Sequence, residues 1–568
     1  MLNTPLPIGF DDFKEIITGK YYYVDKSWFI KELLDQKAKV NLFTRPRRFG
    51  KTLNLSMLRY YFERTENKED NRSLFDGLKI MQAGRQYTQE MGQYPVIMLT
   101  LKSAKQGTYE YAYTCLCEAI ANEYDRHKMI ISALEYADKD KFNRIRNQQG
   151  GPGDYLTSLA FLSKCLYTYY EKPAVILIDE YDVPLENAYY NGFYDEMICF
   201  IRSLFESALK TNPYLAFSVV TGCLRISKES VFTGLNNLDV ISILNEDYDE
   251  YFGFVQKEVT EMLSFYHCEA SMPTMKDWYD GYLFGQTEVY NPWSVINYIK
   301  RLLINPNSFP TAAWSNTSSN SIVKDLVYHA SSEVREQIEK LMNGETIEKR
   351  IHDDITYEDI HTSEENLWNF LYFTGYLKGV SVRMDGVNRY ITMAIPNKEV
   401  LYIYDNTVTN WFRDEVKIKD LSAMYAAMLK GDVAVFQQLL TQELRGTISY
   451  MDNKEAFYHG FLVGILANLK DYLVKSNREG GTGRYDICIY HLDETIPPVV
   501  IELKIARTFA DMEKRAQEAL NQIEEKQYDA WLPDEGYTAW IRYGIAFYKK
   551  KCMIKMERKK ILSYSDSF

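Results

Sequence analysis

The chain has 568 residues, 46% hydrophobic and 25% charged, with 16 Pro and 29 Gly. That composition excludes collagen, low-complexity linkers and wholesale disorder, and roughly one domain per 150 residues predicts three or four domains. A net charge of −12 argues against a protein that coats nucleic acid, although residues 453–568 carry 18 Lys and Arg against 17 Asp and Glu. If DNA or RNA is touched, the C-terminal part is the better candidate. The eight cysteines include no CxxC pair, so neither a disulfide framework nor a zinc ribbon is expected. The opening MLNTPLPIGFDDFKE has no apolar signal core, and no apolar run approaches the length of a membrane span. A reduced, cytoplasmic setting without a membrane partner is the expectation.

Short β-rich runs at 38–44 (AKVNLFT), 96–101 (VIMLTL), 174–178 (AVILI) and 215–222 (LAFSVVTG) alternate with helix-period segments around 108–145 and 154–171. Strands and helices alternating in this way predict a parallel α/β sheet. From 241 to 450 the pattern is mostly helical and rich in Tyr and Trp. After 453 the alternation returns: helix 454–474, a turn at SNREGGTGR, strands 485–490 and 498–504, helix 508–526 and strand 540–548. The expected domains are 1–240, a helical lid or connector at 241–450, and a separate α/β unit at 451–568.

The first chemical motif is Thr44-Arg-Pro-Arg-Arg-Phe-Gly-Lys-Thr52, after a strand and before the helix LNLSMLRYYFE. A phosphate loop needs backbone N–H groups at a helix N-terminus, a lysine for the β- and γ-phosphates and a hydroxyl for Mg2+. Gly50, Lys51 and Thr52 supply them, although Arg45 stands where the first Walker glycine belongs. A GKT alone is equally the mark of a surface turn. About 130 residues later AVILIDEYD ends a buried strand in Asp179-Glu180, the position of the Mg2+-ligating Asp of a P-loop enzyme with a Glu placed to activate water. LAFSVVTG then runs into Arg225, a cation at the next strand end. The expected nucleotide-binding set is Arg45, Arg48, Phe49, Gly50, Lys51, Thr52, Asp179 and Arg225. Thr52 and Asp179 are the metal ligands, Glu180 the catalytic residue, and ATP with Mg2+ the cofactor.

The wording of PIGFDDFKEI, YYYVDKSWFIKELL, TRPRRFGKTLNLSML, LIDEYDVPL, TGCLRISKESVFTGLNNL, WYDGYLFG and VYNPWSVINYI resembles the AAA-ATPase-like family over roughly residues 5–300. In that family RPRRFGKT occupies the Walker position, so the departure at Arg45 is what the resemblance implies. It also implies that residues 22–26 (YYVDK) lie near the nucleotide base.

In the C-terminal region, Gly483-Arg-Tyr-Asp486 precedes an apolar run, and Glu502-Leu-Lys504 closes PPVVIELK. Residues i and i+2 of a strand share a face, so Glu502 and Lys504 project together, and antiparallel pairing brings Asp486 beside Glu502. Two carboxylates and a lysine suit a hard cation, Mg2+ or Mn2+. An ExK pair alone equally marks a solvated edge strand. The combination SNREGGTGRYDICIY, VVIELKIA and AQEALNQIEEKQY resembles the PD-(D/E)XK nuclease superfamily over about 453–550. The resemblance implies that Asp486 and Glu502 are catalytic metal ligands, Lys504 the catalytic lysine, Glu455 an auxiliary metal-binding acid and Gln522 an orienting residue. His459 reads as a packed helix residue. Lys549, Lys550, Lys551, Lys555, Arg558, Lys559 and Lys560 form a basic stripe, either a solvated surface or a contact for phosphates.

The expected protein is an α/β P-loop domain joined through a helical middle to a restriction-endonuclease-like α/β domain. It binds and hydrolyses ATP and acts on nucleic-acid phosphodiesters. The alternative is a nucleotide-dependent switch or scaffold whose nuclease-like fold binds a partner without cutting. Sequence does not set the oligomeric state.

Overall fold

The computed structural model describes residues 4–65, 71–225, 231–232, 235–316, 331–352, 363–407, 420–447, 455–467, 469–480, 483–493 and 495–560. The chain divides into two compact units, one of Met1–Leu326 with Gly344–Ile403, the other of Val327–Asn343 with Tyr404–Phe568. Among the described residues no helix is long and apolar enough to cross a membrane, and the eight cysteines are free thiols.

The first unit is built on a five-stranded sheet of β1 (Val40–Thr44), β2 (Val96–Thr100), β3 (Ala174–Asp179), β4 (Leu215–Gly222) and β5 (Leu238–Ile241), in the order β2-β3-β4-β1-β5. Every neighbouring pair is parallel. Strands β1 and β3 are buried along their whole length, which is why VNLFT and AVILI read as continuous apolar runs rather than as alternating ones. Because β4 lies between β1 and β3, the C-terminal ends of all three open onto one crevice, where ligands bind in open α/β sheets.

Beyond β5 the helices are interleaved with two small sheets. One joins β6 (Phe254–Val255), β7 (Tyr282–Phe284) and β8 (Thr287–Tyr290) in the order β6-β8-β7. The other joins β9 (Ile347–Ile351), β10 (Lys378–Asp385) and β11 (Asn388–Ala394) in the order β10-β11-β9. The motif VYNPWSV starts a helix, Pro292–Ile304, capped by Asn291, whose Oδ1 accepts the N–H groups of Trp293 at 3.0 Å and Ser294 at 3.4 Å.

Ser294 in turn donates to the buried Glu399 at 2.8 Å, and the N–H of Trp314 donates to it at 2.9 Å. Burial pushes the Glu399 carboxyl up to about 7, against the pull of those hydrogen bonds. The folded state therefore holds a proton that the unfolded chain releases near pH 4.5, and stability conferred below that pH is lost as pH rises to about 7. The loss amounts to about 3 kcal/mol. Glu399→Gln, which cannot ionise, is expected to flatten denaturation midpoints across that window. An unchanged slope would rule the residue out as its source.

The second unit holds a mixed sheet of β12 (Tyr472–Gly480), β13 (Gly483–His491), β14 (Val499–Ile505), β15 (Ala539–Tyr548) and β16 (Lys551–Lys560), joined in that order. Strands β14 and β15 run parallel and the other pairs antiparallel. The expected helix 454–474 ends early: the helix covers Glu455–Leu466, Asp471 takes a left-handed φ of 65°, and Tyr472 begins β12. The expected turn SNREGGTGR is mostly strand: residues 476–480 belong to β12 and 483–484 to β13, while 481 and 482 lie outside the described residues. Of the basic stripe, residues 551–560 form β16.

The helix Met512–Glu525 lies on this sheet at Gly544 of β15. A Cβ there would stand 2.2 Å from the Ala516 carbonyl and 2.5 Å from the Leu520 nitrogen, both rigid helix backbone. Gly544→Ala is therefore expected to lower the unfolding free energy of the second unit by about 1–3 kcal/mol, read by denaturant titration. A variant as stable as the wild type would mean that the helix does not sit this close.

Candidate functional site

The crevice at the ends of β1, β3 and β4 is shaped by left-handed backbone. Arg48 has φ 70° and Gly50, which caps the helix Lys51–Phe62, has φ 84°. Nothing approaches a Cβ built on Gly50, so the glycine is needed for conformation rather than for space. The turn directs the N–H groups of the helix start into the crevice, where they favour an anion. Lys51 is buried and donates to the carbonyls of Arg45 and Pro46, each at 2.9 Å, and its Nζ lies 3.7 Å from Cys223 Sγ.

Thr52 donates to Asp179 Oδ2 at 2.7 Å, across from the phosphate loop to the end of β3. The other carboxylate oxygen accepts from Thr221 of β4 at 2.6 Å. Thr221 is a site residue that sequence reading passed over, its only signal being a hydroxyl at the polar end of LAFSVVTG. A hydroxyl and a buried carboxylate meeting at one point make a donor set that suits Mg2+. Glu180 follows in a left-handed turn, φ 52°, and its carboxyl is pushed up by burial and by the charge of Asp179. Arg225, half-buried, follows the end of β4. The structure therefore brings Gly50, Lys51, Thr52, Asp179, Glu180 and Arg225 to one end of the sheet.

Arg45 and Phe49 point the other way. Arg45 is fully buried, its guanidinium 5.1 Å from the ring of Phe284 and 5.3 Å from that of Phe252, donating to the carbonyl of Ile241 at 2.9 Å. Burial lowers its pKa to about 9. Phe49 packs against Tyr282 and Phe284, with ring centres 5.0 and 5.2 Å apart. Arg48 lies over the ring of Trp293 at 4.6 Å. Arg45, which replaces the first glycine, and Arg48 and Phe49 beside it thus dock the loop onto aromatic residues of WYDGYLFG and VYNPWSV. In YYVDK, Lys26 is buried and spent on Glu258 and the Glu250 carbonyl, each at 2.6 Å.

In the second unit the register Ile487↔Ile501 carries Asp486 and Glu502 to the same level on β13 and β14. Asp486 Oδ2 accepts the N–H of Leu503 at 2.8 Å. Glu502 is buried, and its Oε1 accepts from Gln522 at 2.5 Å and lies 3.6 Å from Lys504 Nζ. Gln522 also donates to the hydroxyl of Tyr528 at 3.1 Å, a partner that only the fold reveals. Burial raises the Asp486 carboxyl. The Leu503 N–H, the His459 ring, the Lys504 ammonium and a hydrogen bond with Glu502 pull it back. A half-buried and a buried carboxyl beside one lysine are short of positive charge, so the donor chemistry fits a divalent cation. His459 Nε2 lies 3.0 Å from the Asp486 carbonyl, which places its helix against the site. Glu455 opens that helix, Glu455–Leu466, and its side chain lies outside the described residues.

The basic stripe is partly neutralised. Lys555 pairs with Glu513 at 2.6 Å and Lys559 with Glu524 at 3.0 Å, while Lys549 and Lys551 lie over the rings of Tyr548 and Phe509.

Comparison with known proteins agrees with this division. Residues 7–232 match the model of a family described as predicted AAA-ATPases, and residues 453–557 match that of the PD-(D/E)XK nuclease superfamily. The chain is also similar to an uncharacterized protein in the vnfD 5′ region of Azotobacter chroococcum mcd 1, with 23% identity over 471 residues, 82% of each chain.

Proposed function

From a chain that carries a predicted AAA-ATPase domain followed by a PD-(D/E)XK superfamily domain, we propose an ATP-hydrolysing protein coupled to a metal-dependent nuclease acting on DNA or RNA. The observation that carries the first half is the bond from Thr52 to Asp179, which joins the phosphate loop to the acid at the end of β3. Lys51 and the loop N–H groups hold the phosphates, Thr52 and Asp179 hold Mg2+, and Glu180 takes the proton of the attacking water. Its raised carboxyl suits a general base. Arg225 supplies positive charge where the γ-phosphate separates.

The second half rests on Asp486, Glu502 and Lys504 meeting at one end of β14, with Gln522 fixing the Glu502 rotamer. Asp486 and Glu502, with Glu455, would hold Mg2+ or Mn2+, which when bound lowers the pKa of water and neutralises charge on the phosphodiester. Lys504 steadies the hydroxide, and lysines 549–551 meet backbone phosphates without reading bases. The domain limits that go with this proposal are 1–240, 241–450 and 451–568.

The test is cleavage of plasmid and single-stranded nucleic acid with Mg2+ or Mn2+, with and without ATP. Metal-dependent cutting supports the reading. Nucleotide binding without cutting of any substrate would replace it with the switch or scaffold, which the net charge of −12 favours.

A further inference from the structure

The segment that follows the acid pair is bonded into the end of β4. The N–H of Tyr181 donates to the Thr221 carbonyl at 3.1 Å, and its hydroxyl donates to the Leu224 carbonyl at 2.5 Å. Asp182 Oδ2 accepts the N–H of Cys223 at 2.7 Å and that of Leu224 at 3.0 Å. Tyr181, Asp182 and Leu224 are all at most 2% exposed. Gly222 makes room for this arrangement, since a Cβ there would stand 2.4 Å from the Tyr181 ring and 3.0 Å from Asp182 Oδ1. Four residues beyond Asp182, Glu186 pairs with Arg47 of the phosphate loop. Residues 181–186 thus tie together the loop, the end of β3 and the turn that presents Arg225.

This arrangement has a physical reason. Cys223 and Leu224 are past the sheet ladder, so their buried N–H and C=O groups have no strand partner. Left unpaired they would each cost a desolvation penalty. Tyr181 and Asp182 satisfy both N–H groups and the Leu224 carbonyl from the segment adjoining Glu180. The turn cannot shift without breaking buried hydrogen bonds or taking Glu180 with it. We propose that Tyr181 and Asp182 are positioning residues for nucleotide hydrolysis, holding Arg225 at a set distance from Glu180 so that phosphate charge and attacking water are met by one rigid unit. The proposal rests on the ATPase reading above. It adds that turnover, and not affinity, depends on the latch, because Lys51 and the loop N–H groups hold the phosphates without it.

The experiment is steady-state ATP hydrolysis by the full-length chain in the Tyr181→Phe variant, which keeps the ring and loses the hydroxyl. Displacing a catalytic group slightly is costly, so kcat is expected to fall about tenfold or more while KM for ATP stays within about twofold. In an Arg225→Ala background the same substitution is expected to have little further effect, because the group it positions is gone. A purely structural role would give the same fall in both backgrounds and would overturn the proposal, as would an unchanged kcat. Asp182→Asn, which removes the charge and keeps the shape, repeats the measurement should Tyr181→Phe fail to fold. A wild type that binds ATP without hydrolysing it overturns this proposal together with the hydrolysis. A wild type that binds no ATP removes the nucleotide reading itself.

Discussion

Lys51→Ala is expected to weaken binding of Mg-ATP by about 100-fold or more, because it removes the one buried ammonium at the phosphate loop, and a charge-assisted hydrogen bond is worth up to about 3 kcal/mol. Without nucleotide that ammonium is held by the carbonyls of Arg45 and Pro46, so it stands at the loop before the phosphates arrive. Glu180→Gln is expected to behave differently. It keeps the shape of the site and its binding affinity, and it loses turnover by roughly 10²–10⁴-fold, the usual contribution of a general base. Calorimetry with the purified chain separates the two variants from each other, and a phosphate-release assay measures the second. Equal ATP affinity in the wild type and in Lys51→Ala would sink the nucleotide site.

Asp486→Ala is expected to abolish divalent-cation binding in the second unit and with it any phosphodiester cleavage. Its carboxyl is half-buried beside the buried Glu502 and is raised by partial loss of solvent. Such a pair ionises fully only when a cation lies between the two groups. Lys504→Ala should spare the metal, since a lysine donates no lone pair while protonated, and should cut cleavage by roughly 10²–10⁴-fold. Isothermal titration with Mn2+ and the plasmid assay distinguish these outcomes. Cleavage that persists in Asp486→Ala would mean that a contaminant does the cutting. A Lys504→Ala chain that cuts like the wild type would return that lysine to an ordinary ion pair with Glu502.

The two sites differ in how they are fixed. At the proposed nucleotide site, Arg45 and Phe49 of the loop are buried in aromatic surroundings formed by Phe252, Tyr282 and Phe284. A loop held on that side by packing can be less rich in glycine than the usual pattern, because only Gly50 and Arg48 need left-handed backbone. At the second site, rigidity comes from helix Met512–Glu525 resting on Gly544, the residue directly beside Glu502 in the β14–β15 register. That close approach lets Gln522 reach Glu502.

What the sequence determined by itself was chemistry carried by short spacing. A strand followed by GKT and a helix, a buried strand ending in Asp179-Glu180, and the shared face of Glu502 and Lys504 all follow from local periodicity, which a dozen residues suffice to set. The parallel sheet was legible for the same reason, since strands buried on both faces must be apolar throughout. The tertiary structure decided what depends on partners far along the chain. The strand order β2-β3-β4-β1-β5 puts Thr221 beside Asp179, and nothing within either segment specifies that neighbour. Arg45 and Phe49 look like nucleotide contacts in a phosphate-loop motif, and only the aromatic residues some 200 to 240 positions later give them a buried destination. The stretch 472–480 reads as the end of a helix followed by the start of a turn, and becomes β12 because β13 pairs with it along most of its length. Strand pairing and side-chain burial are contacts between distant segments, so their outcome belongs to the folded chain as a whole rather than to any window of it.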